Sequence, residues 1–310
     1  MKNKIRGGVM QFDLFKHIYE HICTSNMIDS ETDIGLFNWG EPFMNPDLEK
    51  ICSFLSTRNQ PFHLSTNASI YKPIVKSMST LTSMTFSMCG FSQQSYNRIH
   101  GFNFNKVVDN IQKYVRDFGK YRYKSNLYIA YHIYQFNEDE IKAAYCFARE
   151  LGIGIHFSYA YLNGISLGLD YMNNSLSYNF LKQMGKDINL GYLDQLLTKR
   201  KEAEACEEMH RLVIDEEGKV LMCCCADKQC DKYSLDEIFA YSSFEEIDIK
   251  RRKLVDNLYI CRKCLDSGLH YWMHNSPIRE VKGNIIMELV YKGKNEFRSI
   301  RQNYKKIFRQ

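Results

Sequence analysis

Apolar positions over the first 160 residues switch between two spacings. Phe12, Leu14, Phe15, Ile18, Tyr19 and Ile22 recur at helical intervals, whereas Ile34-Gly35-Leu36-Phe37 is a short run suited to a buried strand. Asn45-Pro46 then reads as a helix start, Asn as N-cap and Pro in the first position, with Leu48, Ile51, Cys52 and Leu55 as the apolar face. Strands are expected at 62–66, 83–88, 127–134 and 152–159, with a short helix at 72–78 and a longer one at 106–118. Asn137-x-x-Glu140 is close to a capping box and opens a helix to about residue 151. One helix followed by repeated strand–helix units predicts a parallel sheet with helices outside it. Right-handed crossovers should curl such a sheet into a partial barrel, with ligands at the C-terminal ends of its strands.

Residues 165–205 are helical and polar in pattern and read as a bridge. The character changes at Cys206. Residues 211–215 and 219–222 flank a Glu216-Glu217-Gly218 turn and predict a β-hairpin. Helices are expected around 234–239 and 244–257, ahead of Cys261-Arg262-Lys263-Cys264.

The 310 residues are 45% hydrophobic and 25% charged, an ordinary globular balance. No run of about 20 apolar residues marks a membrane span, and no apolar stretch follows the basic first residues as in a signal peptide, so a cytoplasmic protein is expected. The net charge of +5 comes largely from the C-terminal end (Lys292, Lys294, Arg298, Arg301, Lys305, Lys306, Arg309), spaced as on a solvated helix and not as a dense nucleic-acid tail.

Eleven cysteines are many for a reducing compartment, where clustered cysteines serve as metal ligands or catalysts. Cys23, Cys52 and Cys146 fall in amphipathic patterns and read as packing residues. Seven of the remaining eight gather after residue 205, Cys89 being the exception. Cys206 enters before the predicted hairpin and Cys223 leaves it, with Gly218 at the turn position that needs a positive φ. Cys261 and Cys264 form a Cys-x2-Cys pair able to chelate from a tight turn. Four thiolates suit either a tetrahedral zinc or a [4Fe–4S] cluster, and spacing alone does not separate them. Cys224, Cys225 and Cys230 compete as ligands; the hairpin register selects Cys223.

Cys206-x11-Gly218-x4-Cys223 followed by Cys261-x2-Cys264 resembles the SPASM domain that follows the barrel in many radical S-adenosylmethionine enzymes. Tyr233-Ser234-Leu235-Asp236-Glu237-Ile238 looks like the short helix between its cysteine pairs. Where the family continues with two more cysteines, this sequence has His270 and His274, so the resemblance implies one auxiliary [4Fe–4S] cluster rather than two. In the barrel half, Asn38-Trp39-Gly40-Glu41-Pro42 resembles the family's Gly-Gly-Glu-Pro motif. Ser65-Thr66-Asn67 and Ser87-Met88-Cys89-Gly90 sit where the next two strands of the family line the cofactor pocket. The resemblance covers roughly residues 8–270. It implies that Gly40, Glu41, Pro42, Thr66, Asn67 and Ser87 bind S-adenosylmethionine, with Glu41 on the methionyl amino group, and that Cys206, Cys223, Cys261 and Cys264 hold the auxiliary cluster.

The expected architecture is therefore α/β: a partial (β/α)6 TIM-like barrel lacking its first strand at 1–165, a helical bridge at 166–205, a small α+β cysteine-rich SPASM-like domain at 206–280 and a basic tail at 281–310. The family's Cys-x3-Cys-x2-Cys, which holds the radical-generating [4Fe–4S] cluster, is absent. The expectation is a late start codon, a split gene, or a pseudoenzyme keeping the auxiliary cluster, and no cleavage of S-adenosylmethionine by these 310 residues. In full-length form the resemblance implies a 5′-deoxyadenosyl radical acting on a peptide, sugar or small-molecule substrate, with an electron donor such as flavodoxin or ferredoxin. The alternative is a non-catalytic iron–sulfur or zinc protein acting in binding or electron transfer.

Overall fold

The computed structural model describes residues 8–123, 125–160, 162, 165–191, 193–194, 206–224 and 234–266. Helix α1 (Phe12–Thr24) follows the predicted spacing and buries Phe15, Ile18, Tyr19 and Ile22. Five strands come next: β1 (Ile34–Gly35), β2 (Phe62–Thr66), β3 (Leu81–Met88), β4 (Asn126–Ile133) and β5 (Gly154–Tyr159). They lie side by side in chain order, and every neighbouring pair is parallel. With right-handed crossovers, a sequential order puts the intervening helices on one face. This is the α/β arrangement of a partial TIM-like barrel and not of a sheet wound both ways from a switch point.

The two faces of the sheet differ in chemistry. Phe62 and Leu64 of β2, Met84, Phe86 and Met88 of β3, Ile129, Tyr131 and Ile133 of β4, and Phe157 and Tyr159 of β5 are buried in the main apolar core. The helices α2 (Leu48–Thr57), α3 (Phe104–Tyr121) and α4 (Ile141–Leu151) contribute Leu55, Ile111, Tyr114 and Ala144 to the same core. The alternate positions include Ser65, Thr85, Ser87, His132 and Ser158, all half-buried. Parallel sheets are usually apolar on both faces, so a polar face points to a cavity rather than to core.

Several boundaries depart from expectation for identifiable reasons. Asn45 does not cap α2. The helix starts at Leu48 after Asp47, while Asn45 Oδ1 accepts from the Asp47 N–H and its Nδ2 donates to the Met10 carbonyl. The helix expected at 72–78 is only a 3-10 turn, Val75–Ser77. Asn137 and Glu140 form no capping box. Asn137, fully buried, accepts from the Tyr134 N–H and donates to the Cys89 and His132 carbonyls. Glu140 reaches the loop after β3, accepting from the Phe91 N–H and the Ser92 and Ser95 hydroxyls. That loop approaches so closely that a Cβ on Gly90 would lie 2.2 Å from the Ser95 Cβ.

Beyond the barrel, helices Ile165–Met172 and Tyr178–Met184 occupy the predicted bridge. The hairpin forms as β6 (Val213–Ile214) and β7 (Lys219–Leu221), antiparallel, with Gly218 at φ +87. The predicted helix at 234–239 is instead a third strand, β8 (Ser234–Glu237), paired antiparallel with β7 and followed by a 3-10 turn, Ile238–Ala240. Pairing with β7 buries Leu235 and lets the Ile238 N–H donate to the Gly218 carbonyl at 2.8 Å, so tertiary context overrides local helix preference. The Phe244–Asn257 helix follows as expected, and a second helix, Tyr259–Asp266, carries the Cys-x2-Cys pair.

Helix α1 serves two cores. Phe15 and Tyr19 pack into the barrel, while Ile18 and Ile22 pack on the small sheet with Val220, Leu235, Ile238 and Ile247. Burying such side chains is worth about 1.5–3 kcal/mol each, so α1 ties the two parts together.

Candidate functional site

The turn after β1 begins at Glu41, whose carboxylate folds back on its own chain. Pro42 opens the 3-10 turn Pro42–Met44 with its φ preset, and Glu41 caps that turn by accepting from the Phe43 N–H at 3.1 Å. The same oxygen accepts from the Thr66 hydroxyl at 2.7 Å, and the other accepts from the Asn67 N–H at 2.8 Å. Thr66 ends β2 and is 2% exposed. Its oxygen also accepts from the Ala68 N–H at 3.0 Å, and the Asn110 amide holds the Ala68 carbonyl at 2.9 Å. These bonds fix Ala68 at φ 54, a left-handed conformation costing a residue with a Cβ roughly 1–2 kcal/mol.

These groups border a cavity of about 210 Å³ whose nine lining residues include Trp39, Gly40, Glu41, Ser65, Thr66, Asn67 and Ser87. Its place is the C-terminal rim of β1–β3, where parallel sheets present ligand sites. Pro42 is buried beneath the turn and does not line the cavity. None of the lining residues is lysine or arginine. Burial pushes the Glu41 pKa up, and the bonds from Asn67, Thr66 and Phe43 oppose the rise. A carboxylate offers about four acceptor positions, so three donors from the chain leave one for a ligand. The Trp39 indole N–H is buried without a partner.

Ser87 extends the site along the polar face. Its hydroxyl lies 3.2 Å from His132 Nε2, and the Ser158 hydroxyl lies 3.3 Å from His132 Nδ1. Burial, and to a smaller degree the His100 charge, depresses the His132 pKa to about 4, so the imidazole between the two hydroxyls is neutral at pH 7. Sequence reasoning passed over His132. The available signal was a histidine interrupting the apolar strand run at 127–134; its pairing with Ser158 of β5 comes only from the folded register.

The cysteines lie around one end of the small sheet. Cys206 precedes the 3-10 turn Glu207–His210, and Cys223 and Cys224 follow β7. Cys261 and Cys264 are one turn apart on a helix, not in the expected tight turn, a spacing that keeps them on one helix face. Burial raises the Cys206 pKa, with smaller contributions from the Glu208 and Cys224 charges. Burial likewise pushes Cys261 up to about 11, with a smaller contribution from Cys206. Cys206 is thus within electrostatic reach of Cys224 and Cys261. Cys264 is buried among Leu162, Ile165, Leu169 and Leu193, with Cys223 packed against the same cluster. Among the described residues, no three His, Cys, Asp or Glu side chains converge on a single-ion site. Cys225, Cys230, Tyr233, His270, His274 and the basic tail lie outside the described residues. No described helix is long and apolar enough to cross a membrane.

No family model matches the sequence. No curated protein matches it. Among solved structures the chain is similar to anSMEcpe with bound AdoMet, at 17% identity and a TM-score of 0.48, covering 83% of this chain and 73% of that one. A second form of anSMEcpe, with AdoMet and a peptide bound, gives 16% identity and a TM-score of 0.47, covering 83% and 74%. SuiB from Streptococcus suis gives 10% identity and 0.46, covering 74% of this chain and 57% of that one. These neighbours are radical S-adenosylmethionine enzymes with SPASM domains. The likenesses are of shape at low identity, and what this chain binds must be read from its own residues.

Proposed function

We propose that this chain is a radical S-adenosylmethionine/SPASM-type iron–sulfur protein, with a cofactor cavity at the rim of β1–β3 and a separate thiolate-ligated metal centre. The observation that carries the reading is the Glu41 carboxylate at a cavity with no lysine or arginine among its lining residues. Its remaining acceptor position suits a ligand ammonium group. Trp39 also lines the cavity, and its indole N–H is buried without a partner in the protein, so a ligand carboxylate reaching it would give it one. Gly40 and Pro42 shape the turn that presents Glu41. Thr66 and Asn67 hold the carboxylate in place, and Ser87 adds a hydroxyl-bearing side chain to the lining. At about 210 Å³ the cavity is smaller than the usual range of about 300–1,000 Å³ for small-molecule sites. It suits the methionyl part of the cofactor, with the remainder lying along the polar face.

Residues up to 165 supply the cofactor barrel, and residues from 206 onward supply the metal unit, with Cys206, Cys223, Cys261 and Cys264 as ligands to one auxiliary [4Fe–4S] cluster. Bound there, the cluster would supply one-electron chemistry or a docking point for substrate. The chain's own part is to present thiols from three elements, the 3-10 turn, the end of β7 and the Tyr259–Asp266 helix. The sequence holds no Cys-x3-Cys-x2-Cys, so its residues do not fit a radical-generating cluster. A cytoplasmic setting would keep the thiols reduced. A peptide, sugar or small molecule is the substrate class, and flavodoxin or ferredoxin the kind of electron donor. The separation of the cysteines from Glu41 also supports a second reading, a metal-binding protein acting in electron transfer.

Calorimetric titration of the full chain with S-adenosylmethionine tests the cavity. Binding weakened about tenfold or more by Glu41→Gln, a loss of at least about 1.4 kcal/mol, is the expected result. Equal affinity of wild type and Glu41→Gln would reject the cofactor reading.

A further inference from the structure

Among the described residues, the Ser87 hydroxyl has one bonding partner, Nε2 of His132 at 3.2 Å. Ser87 lines the cavity and His132 does not. The other ring nitrogen, Nδ1, lies 3.3 Å from the Ser158 hydroxyl. Strand register fixes this row. Ser87 of β3 pairs with Ala130, two residues before His132 and on the same face of β4, and His132 pairs directly with Ser158 of β5. The buried Asn137 amide ties the two strand ends together, donating to the His132 carbonyl at 3.0 Å and to the Cys89 carbonyl, just past β3, at 2.8 Å. An apolar side chain would fill the His132 position with no polar group to satisfy, and parallel sheets are usually apolar on both faces. The imidazole is instead held at both nitrogens, one step behind a residue of the cavity lining.

We propose that His132 is a positioning residue for the cavity at the rim of β1–β3, setting through the Ser158–His132–Ser87 chain whether the Ser87 hydroxyl meets a ligand as donor or as acceptor. The inference rests on the cofactor reading above, in which Ser87 lines the S-adenosylmethionine site. A neutral imidazole has one N–H and one bare nitrogen, and a hydroxyl has one donor and two acceptor positions. With the proton on Nε2, the ring donates to Ser87 and leaves its O–H free to donate to a ligand. With the proton on Nδ1, the ring accepts the Ser87 O–H and leaves that oxygen only lone pairs to offer. Ser158 completes the chain in both cases, donating to a bare Nδ1 or accepting from Nδ1–H. A lysine in place of His132 could only donate and an ionised aspartate only accept. His132 itself reaches no ligand; it acts by holding Ser87.

The test is a double-mutant cycle on the full chain, read by calorimetric titration with S-adenosylmethionine. His132→Phe keeps a ring and removes both nitrogens, and should weaken binding about three- to tenfold, the range of one neutral hydrogen bond. Ser87→Ala should weaken it by a similar factor. Because His132 acts through Ser87, the double variant should bind within about twofold of Ser87→Ala alone. His132→Gln restores a donor and an acceptor and should recover part of the loss. A merely structural histidine would move Tm and leave the affinity as in wild type. Should His132→Phe fail to fold, Ser158→Ala takes its place in the cycle, since it breaks the chain at the end away from the cavity. Wild-type affinity in His132→Phe, or in Ser158→Ala when it stands in, overturns the proposal. So does a loss that persists in full in the Ser87→Ala background. Each of these leaves the cofactor reading standing, whereas a wild type that does not bind S-adenosylmethionine rejects that reading and the proposal with it.

Discussion

Thr66→Val isolates the bond network that holds the cavity. The side chains have nearly the same shape, so little packing is lost. The hydroxyl, however, makes two bonds at once. It donates to Glu41 at 2.7 Å and accepts from the Ala68 N–H at 3.0 Å, in surroundings where Thr66 is 2% and Ala68 1% exposed. A hydrogen bond to a charged group contributes about 1.5–3 kcal/mol, and a stranded buried N–H costs about 1–3 kcal/mol. The two overlap, and a loss of about 3 kcal/mol is expected, with release of the left-handed Ala68 turn recovering part of it. Urea unfolding followed by circular dichroism reads this as a lower midpoint at unchanged m. Thr66→Ser keeps both bonds and loses one methyl, worth about 0.8 kcal/mol. The loss should also shrink in acid. Burial already raises the Glu41 pKa above its ordinary 4.5, and losing the Thr66 donor pushes it further up. A carboxyl with a raised folded pKa contributes stability that is present below the unfolded pKa and lost as pH rises through the folded one. The gap between Thr66→Val and wild type should therefore be widest at neutral pH. A midpoint within about 0.5 kcal/mol of wild type, or Thr66→Ser as damaging as Thr66→Val, would refute the reasoning.

Two further outcomes follow from the polar face and its supports. His132 has a folded pKa near 4 against an ordinary 6.5, so the unfolded chain binds the extra proton first. Its contribution is complete above pH 6.5 and lost as pH falls toward 4, by up to about 3 kcal/mol; a pH series of unfolding free energies should therefore be flatter in His132→Gln over that window, and parallel curves would count against it. Asn137→Asp keeps the acceptor for Tyr134 but turns a carboxylate oxygen toward the Cys89 and His132 carbonyls. At pH 7 it should cost about 3 kcal/mol or more, and a melting temperature indistinguishable from wild type would contradict the burial argument.

The strand–helix alternation, the parallel class of the sheet, helix α1 and the hairpin turn at Gly218 were all legible from the sequence, because apolar spacing and turn chemistry are local properties. So were Glu41, Thr66, Asn67 and Ser87 as residues ending successive strands, whose meeting at one rim follows from parallel pairing in chain order. Other features depended on partners distant in the chain. Residues 234–237 are a strand because β7 offers them an unpaired edge, and nothing within those residues records that edge. Asn137 and Glu140 have the spacing of a capping box, yet their side chains bond the turn and strand end beside them and the loop after β3, respectively, because that loop lies within reach only in the folded sheet. His132 becomes a neutral imidazole between two serines through the register of β3, β4 and β5. Arg251, one of several basic residues on a polar helix by sequence, is buried against the Arg211 and Leu221 carbonyls only because the Phe244–Asn257 helix packs on the hairpin. Local sequence sets which elements form; which side chains lose water, and whose charges they then face, is decided by packing between elements far apart in the chain.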